Sequence, residues 1–305
     1  MAIKEIVVHQ GPDSRSAARL EIAAALAKAH DARIIGVFVK VDPGDLEYSW
    51  MAFSKEAIAT WLAALEGISG EAEETFKTRM AEAGLESEWR VMEGNVTDAV
   101  MTCARYGDLT LIGQTNPDEP AYDSSMPDQV VMGAGGPVLV VPYVGHFESV
   151  GKRMMVAWSG EREAARAVRD AIPILKQAES VVVYSINPGD ETHLAGAEIC
   201  AHLAHHGVTA EASHDKPGPE SEAVSPALKT VGGFGFQQRG AWTQSRHPAI
   251  GEIDIGDALL SAVSTLGIDL LVMGAYGHSR IRELVLGGAT RQVLTSMTVP
   301  VVMSS

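Results

Sequence analysis

The chain has 305 residues, of which 46% are hydrophobic and 21% are charged. This composition excludes a disordered chain, because burial of so much apolar surface offsets the entropy lost on ordering. The formal net charge of −15 argues against nucleic-acid binding, which relies on a basic face. We therefore expect an acidic globular protein of about two domains, with no nucleic-acid partner.

Cysteine usage and hydropathy indicate a cytoplasmic protein. The two cysteines, Cys103 and Cys200, form no CxxC motif, so we expect buried thiols in a reducing compartment rather than a disulfide framework or a zinc site. The first twenty residues lack the apolar core of a signal peptide. No run in the chain reaches the ~18 apolar residues of a membrane span. These features predict cytoplasmic localisation without a membrane partner.

Taken in chain order, the predicted elements form two copies of one plan. Each half begins with a short apolar strand, KEIVV at 4–8 and KRMMVA at 152–157, followed by a glycine and an alanine-rich helix. Later in each half comes a strand that ends in glycine, DLTLIG at 108–113 and DLLVMG at 269–274. The same anchors in the same order indicate a duplicated structural unit.

Within each half, five strands alternate with four helices. The strands are continuous apolar runs, such as RIIGVFV (33–39) and SVVVYSI (180–186), which is typical of a parallel sheet covered by helices on both faces. This pattern predicts an α/β fold of two tandem doubly wound, Rossmann-like domains, at 1–145 and 151–305, packed as a pseudo-dimer.

The two halves differ by one long insertion in the second half. The first half passes almost directly from its third strand into a helix, whereas about forty residues, at about 215–253, follow the equivalent strand of the second half. The segment is rich in Gly, Pro and Ser, and it also carries Phe234, Phe236 and Trp242. Loops of this length tend to be functional or disordered. A lid or oligomer contact and a plain insertion both stay open as interpretations.

A glycine-rich turn in the second half is the strongest candidate site. It follows the strand DLLVMG and precedes the helix ATRQVLTSM, and His278, Arg280 and Arg282 add positive charge to it. Backbone N–H groups and the dipole at a helix N-terminus favour a phosphate, and glycine permits its close approach. The second half is also the less acidic, with 13 Lys+Arg and 16 Asp+Glu, a net charge of −3 against −12 for residues 1–150.

The spacing G-x2-G-x9-G, carried by Gly274, Gly277 and Gly287, resembles the nucleotide-binding signature of the universal stress protein family. The repeat resembles the tandem members of that family and covers nearly the whole chain outside the insertion. The resemblance also implies that VLVV (138–141) and VVM (301–303) meet between the halves, since the last strand pairs across the dimer interface in that family. The resemblance implies a stress protein that binds ATP, accompanied by Mg²⁺, or another adenine nucleotide in its C-terminal domain, as a sensor or regulator. The site residues that it implies are Ala157, Ser159, Met273, Gly274, Gly277, His278, Arg280, Gly287, Gly288, Ala289 and Thr290.

Two positions depart from the family pattern. The family follows the last signature glycine with Ser or Thr, and here Gly288 stands there. The family also places an Asp at the end of the first strand, where this half has Ser159. Loss of a charged hydrogen-bond acceptor removes on the order of 1.5–3 kcal/mol, so weaker binding is expected.

The first half has lost the signature more fully. Gly113 is followed by QTNPDEP without a second glycine, and Asp118, Glu119, Asp123 and Asp128 lie where a phosphate would bind. We therefore interpret this half as a degenerate partner domain.

No motif of a dedicated catalyst is present, since the chain lacks GxxxxGK[ST], HExxH and GxSxG. The enzymatic activity expected is at most slow ATP hydrolysis. His202, His205 and His206 have a spacing that suits a metal, but they end a helix, where histidine also meets the dipole favourably, and we assign no metal site. The alternative function is a stress protein that binds no nucleotide and acts through protein contacts. A homodimer of the whole chain stays open.

Overall fold

The computed structural model describes residues 2–41, 54–119, 124–147, 149–186, 196–215, 255–275 and 288–305. In the first half, strands and helices alternate. They are β1 (Glu5–His9), α1 (Ser16–His30), β2 (Arg33–Lys40), α2 (Lys55–Ala83), β3 (Ser87–Glu93), α3 (Val96–Ala104), β4 (Leu109–Gly113), α4 (Met126–Gly133) and β5 (Val138–Val141).

The second half repeats this order. Its elements are β6 (Arg153–Ala157), α5 (Arg162–Leu175), β7 (Ser180–Ile186), α6 (Ala197–His205), β8 (Ala210–Asp215), α7 (Ile255–Thr265), β9 (Leu270–Gly274), α8 (Gly288–Ser296) and β10 (Val301–Ser304). The predicted alternation is thereby confirmed in the described part of the chain. Apart from Asp215, the insertion predicted at about 215–253 lies outside the described residues.

All ten strands form one sheet, in the order β3-β2-β1-β4-β5-β10-β9-β6-β7-β8. Each half contributes five parallel strands in the same relative order, which confirms the predicted doubly wound α/β fold. The side chains of each strand alternate between two apolar layers. Ile6 and Val8 lie in one layer, for example, and Val7 in the other. Because helices cover both faces, every residue of such a strand can be apolar.

The two halves meet at an antiparallel strand pair. Val301 lies opposite Val140, Val302 opposite Leu139 and Met303 opposite Val138. The predicted contact between 138–141 and 301–303 is therefore confirmed. These strands are fully buried, so the junction is part of a continuous core rather than a contact between two separate surfaces.

Backbone contacts repeat between the halves and align their positions. The Gln10 N–H donates to the Val37 carbonyl at 2.8 Å, and the Trp158 N–H donates to the Tyr184 carbonyl at the same distance. At the starts of the strands, Asp108 accepts from the N–H groups of residues 4 and 5, and Asp269 accepts from those of residues 151–153. His9 consequently occupies the position of Ala157 in the repeat.

Both cysteines lie in the core. Cys103 on α3 and Cys200 on α6 are free and buried, which confirms the expectation of small buried thiols. Among the described helices, none is long and apolar enough to cross a membrane.

One buried polar side chain ties the halves together next to the strand junction. Gln114 donates from Nε2 to the Leu294 and Thr295 carbonyls, both at 2.9 Å, and its Oε1 accepts from the Tyr143 N–H at 3.0 Å. Gln114 is 7% exposed. It therefore satisfies carbonyl groups at the C-terminal end of α8 that the helix itself leaves free.

We expect Gln114→Leu to lower the free energy of unfolding by about 2 kcal/mol, because three backbone groups lose their partner in a mostly buried place. The measurement is urea unfolding of the whole chain. Gln177→Leu is the matched control, since Gln177 also joins the halves, through the Ala29 carbonyl at 2.9 Å, but at an exposed place. Its expected loss is below about 0.5 kcal/mol. Equal losses in the two variants would contradict the role given to Gln114.

Candidate functional site

In the second half, the carboxyl ends of β6 and β9 lie side by side. Ala157 and Met273 are register partners on these strands, and Gly274 pairs with Ser304 on β10. Open parallel sheets bind ligands at this edge, at the place where the strand order reverses. Ala157 is half-buried and Met273 is 5% exposed. The structure therefore brings together three of the residues predicted for the site, Ala157, Met273 and Gly274.

Gly274 has a packing role of its own. A Cβ at this position would lie 2.5 Å from the Ala164 backbone N and 2.5 Å from the Glu163 backbone C, so no larger residue fits against the start of α5. Gly113 occupies the same position in the first half, where a Cβ would lie 2.5 Å from Arg19 Nη1. The first signature glycine is thus required for close strand–helix packing, independently of any ligand.

The start of α8 supplies donors at the same edge. Its first three residues are Gly288, which is exposed, Ala289, which is half-buried, and Thr290, which is 7% exposed. A Cβ added at Gly288 would meet no atom of the described residues within 4 Å, and the first turn carries no acidic residue. The N–H groups of such a turn favour an anion. The other predicted residues, Gly277, His278, Arg280 and Gly287, lie outside the described residues.

The turn between β6 and α5 shows what replaces the family's Asp. Ser159 is exposed, and its Oγ accepts a hydrogen bond from the Glu161 N–H at 3.3 Å. The next acidic side chain, Glu163, is 3% exposed and receives two hydrogen bonds from Arg162, at 2.8 and 3.1 Å. The Ser159 hydroxyl thus supports the local turn and is a weaker acceptor than a carboxylate would be.

The first half has a cavity of about 390 Å³ at the equivalent edge, which we call the His9 cavity. It lies between the ends of β1, β2 and β4 and the starts of α1, α3 and α4. The residues that line it are His9, Gly11, Pro12, Asp13, Ser14, Arg15, Arg19, Val39, Val96, Gly113, Gln114, Thr115, Asn116, Glu119, Met126, Pro127 and Tyr143. No sequence pattern predicted a ligand cavity in this half.

A buried ion pair forms one wall of the His9 cavity. The Arg19 guanidinium donates to both carboxylate oxygens of Asp13, at 3.0 and 2.8 Å, and to the His9 carbonyl at 2.7 Å. The Arg19 side chain is 1% exposed and that of Asp13 is 35% exposed. Burial alone would raise the pKa of Asp13, but the charge and hydrogen bonds of Arg19 outweigh burial and hold that pKa below its usual value.

The His9 imidazole is kept neutral by its surroundings. Burial, and next the positive charge of Arg19, lower the pKa of His9 to about 4, although the Asp13 carboxylate opposes this shift. His9 is 8% exposed. At neutral pH the ring therefore offers one N–H donor and one nitrogen acceptor.

In the first half, the turn equivalent to the start of α8 is poorly suited to an anion. Pro127, in the first turn of α4, has no N–H to donate, and Asp128 adds negative charge to the same turn. Glu119 lines the cavity, where its carboxylate accepts from the Ser14 hydroxyl and, at 3.4 Å, from the Ser14 N–H. Of the other acidic residues noted in this loop, Asp118 is exposed and Asp123 lies outside the described residues.

The histidines of α6 form no metal site with their neighbours in the described ranges. The rings of His202 and His206 lie 4.7 Å apart in an edge-on arrangement. No group of three or more His, Cys, Asp or Glu side chains suited to a metal ion occurs among the described residues.

Comparisons with known proteins agree with this architecture. A solved universal stress protein from Archaeoglobus fulgidus DSM 4304 superposes with a TM-score of 0.69 at 13% identity, covering 99% of this chain and 98% of its own. A solved structure described as a universal stress protein from Pseudomonas aeruginosa UCBPP-PA14 gives a TM-score of 0.58 at 14% identity, covering 99% and 93%. At such identities the similarity is one of fold.

Sequence comparison assigns the family. Universal stress protein Slr1230 from Synechocystis is 65% identical over 34 residues, a stretch that spans 11% of this chain and only 12% of that relative. The family model for universal stress proteins matches residues 151–305, half of the chain. The chain therefore belongs to the universal stress protein family.

Proposed function

We propose that the chain is a stress-response protein that binds ATP, or another adenine nucleotide, in its C-terminal domain and acts as a sensor or regulator. In this proposal the domains are residues 1–145 and 151–305. The nucleotide lies at the carboxyl edge of the second half, with its phosphates at the start of α8. The protein works in the cytoplasm, and its output is a nucleotide-dependent state rather than dedicated catalysis.

The observation that carries the proposal is the contrast between the first turns of α8 and α4. The α8 turn has no acidic residue and opens with Gly288, where a Cβ would meet no described atom within 4 Å, whereas the equivalent α4 turn has Pro127 and Asp128. This contrast favours an anionic ligand in the second half.

The remaining groups of the site fit a nucleotide in part. Backbone N–H groups at Gly288 and Ala289 would hold phosphate oxygens, and Mg²⁺ would be held chiefly by those oxygens. Ser159, which replaces a carboxylate, would contribute less to nucleoside binding. We therefore propose an affinity below that of a site with the full family signature.

The test is isothermal titration of the nucleotide-stripped chain with ATP and Mg²⁺, together with the Gly288→Asp variant. We expect saturable binding at one site per chain and a loss of affinity of about tenfold or more in the variant, because a carboxylate at the helix start repels phosphate. The fold should persist, since a side chain at Gly288 meets no described atom and an acid favours a helix N-terminus.

Two further variants sharpen this test. Gly70→Asp adds the same charge at an exposed place on α2 where a Cβ also meets nothing within 4 Å, so ATP affinity should not change. Gly288→Ser restores the hydroxyl of the family signature and should tighten binding. Absence of binding at millimolar ATP would overturn the proposal in favour of a stress protein that acts through protein contacts. Two sites per chain would contradict a degenerate first half.

A further inference from the structure

The His9 cavity contains a polar group whose hydrogen-bonding capacity the protein leaves unused. Within the described ranges, the His9 imidazole has no hydrogen-bond partner, although the residue is only 8% exposed. Two other polar side chains on the wall are engaged. Thr115 Oγ1 donates to the Ser124 carbonyl at 2.9 Å, and the nitrogen and oxygen of the Gln114 amide bind backbone groups. The ring nitrogens are not among the fully buried polar atoms that lack a partner, so they retain accessible surface in the cavity, where a bound molecule can reach them.

The remainder of the wall suits an apolar body. Val39, Val96, Met126 and Pro127 line the cavity from three different elements. A volume of about 390 Å³ lies within the ~300–1,000 Å³ typical of small-molecule sites, which combine apolar walls with a few polar groups.

The charged groups of the wall disfavour an anion. Arg19 is paired with Asp13. Arg15 donates to the Gly145 carbonyl at 2.7 Å and lies over the Phe147 ring, 5.9 Å from its centre. The remaining charged side chain on the wall, Glu119, is negative. A negatively charged ligand would meet this carboxylate, and it would find the Arg19 guanidinium paired with Asp13 and one Nη of Arg15 bonded, with the buried Arg15 Nε unpartnered among the described residues.

We propose that the His9 cavity is a second ligand site, distinct from the nucleotide site, and that it binds an uncharged ring compound whose N–H or O–H donates to the His9 imidazole. The aliphatic wall holds the ring, His9 sets its orientation, and Glu119 together with the first turn of α4 excludes anionic ligands. The first half is thus degenerate for phosphate and specialised for a neutral molecule.

The test uses three compounds with the same bicyclic ring shape. Indole carries an N–H donor, indene lacks it, and indole-2-carboxylate adds a negatively charged substituent to indole. Each is titrated into the whole chain, labelled with ¹⁵N in its histidine rings, and followed by NMR. We expect indole to bind saturably and to shift the His9 ring nitrogens. Indene should bind about fivefold more weakly, and the carboxylate at least tenfold more weakly.

Variants assign the binding to this cavity. His9→Phe should weaken indole about fivefold and leave indene unchanged, whereas His205→Phe, the same change at an exposed place on α6, should alter neither. Met126→Trp fills the cavity from its half-exposed rim and should weaken both compounds, so it serves as the test if His9→Phe does not fold. ATP affinity should be unchanged in all three variants, which separates this proposal from the nucleotide site.

The proposal is overturned if indole fails to bind up to its solubility limit. Indole affinity that is unchanged in Met126→Trp, or in a folded His9→Phe, would overturn it equally. Binding of indole-2-carboxylate as tight as that of indole would refute the selectivity for neutral molecules.

Discussion

Asp13→Ala is expected to lower the free energy of unfolding by about 3 kcal/mol, the largest effect of any single change considered for this chain. The variant leaves the Arg19 guanidinium, 1% exposed, without the carboxylate that compensates its charge. Breaking a buried pair from one side costs about 3–5 kcal/mol. We expect a value at the lower end of this range because the Asp13 side chain is 35% exposed, so water can replace part of the lost interaction with Arg19.

Urea unfolding measures this loss of stability. Two further variants test whether it comes from the uncompensated charge of Arg19. Glu73→Ala removes one member of an exposed pair with Lys77 on α2 and should cost less than about 0.5 kcal/mol. Asp13→Ala combined with Arg19→Met removes the uncompensated charge and should be more stable than Asp13→Ala alone. A double variant less stable than the single one would show that Arg19 stabilises the fold without its partner.

Acidification is expected to destabilise the protein through His9. The pKa of His9 is lowered from 6.5 to about 4 in the folded chain, so between these values the unfolded chain binds a proton that the folded chain does not. Stability consequently falls as the pH falls through this window. Over the whole window the loss is about 3 kcal/mol, and from pH 7 to pH 5 it is about 2 kcal/mol.

The measurement is the free energy of unfolding at pH 7 and pH 5, for the native chain and for His9→Phe. The variant should lose most of the difference between the two pH values, and His205→Phe should retain it. His30, whose pKa is lowered by burial, contributes to the slope that remains. The pKa of Asp13 in the folded chain is below its ordinary 3.8. The stability that its carboxylate contributes is therefore lost only below pH 3.8, outside the comparison of pH 7 with pH 5. An unchanged slope in His9→Phe would contradict a buried neutral imidazole.

Most of the fold could be predicted from the sequence, because the repeat and the apolar runs are local patterns with one favourable arrangement. The contact of 138–141 with 301–303 followed from the family resemblance and is confirmed, and the structure adds its antiparallel direction. The spacing of Gly274, Gly277 and Gly287 indicated where to look for a site, but Gly274 also serves packing. Its presence alone therefore does not distinguish a nucleotide site from a tight turn.

The His9 cavity could not be predicted from the sequence, because burial of charge depends on tertiary contacts. Arg19 lies in an alanine-rich stretch and looks like a residue on a solvated helix face, yet it is fully buried beside Asp13. The signal that the sequence offered was Asp13, six positions before Arg19, with the start of a helix between them. Many exposed pairs share that spacing, so it carries little information by itself.

The antiparallel junction has a consequence for the placement of the two candidate sites. Because β5 and β10 run in opposite directions, the carboxyl edges of the two halves face opposite ends of the molecule. Helix α8, nine residues long and therefore about 13 Å in length, bridges that separation. It begins at Gly288, and its last turn is held by Gln114, which lines the His9 cavity. One helix thus links the two candidate sites: its first turn lies at the carboxyl edge of the second half, and its last turn contacts a residue of the His9 cavity wall.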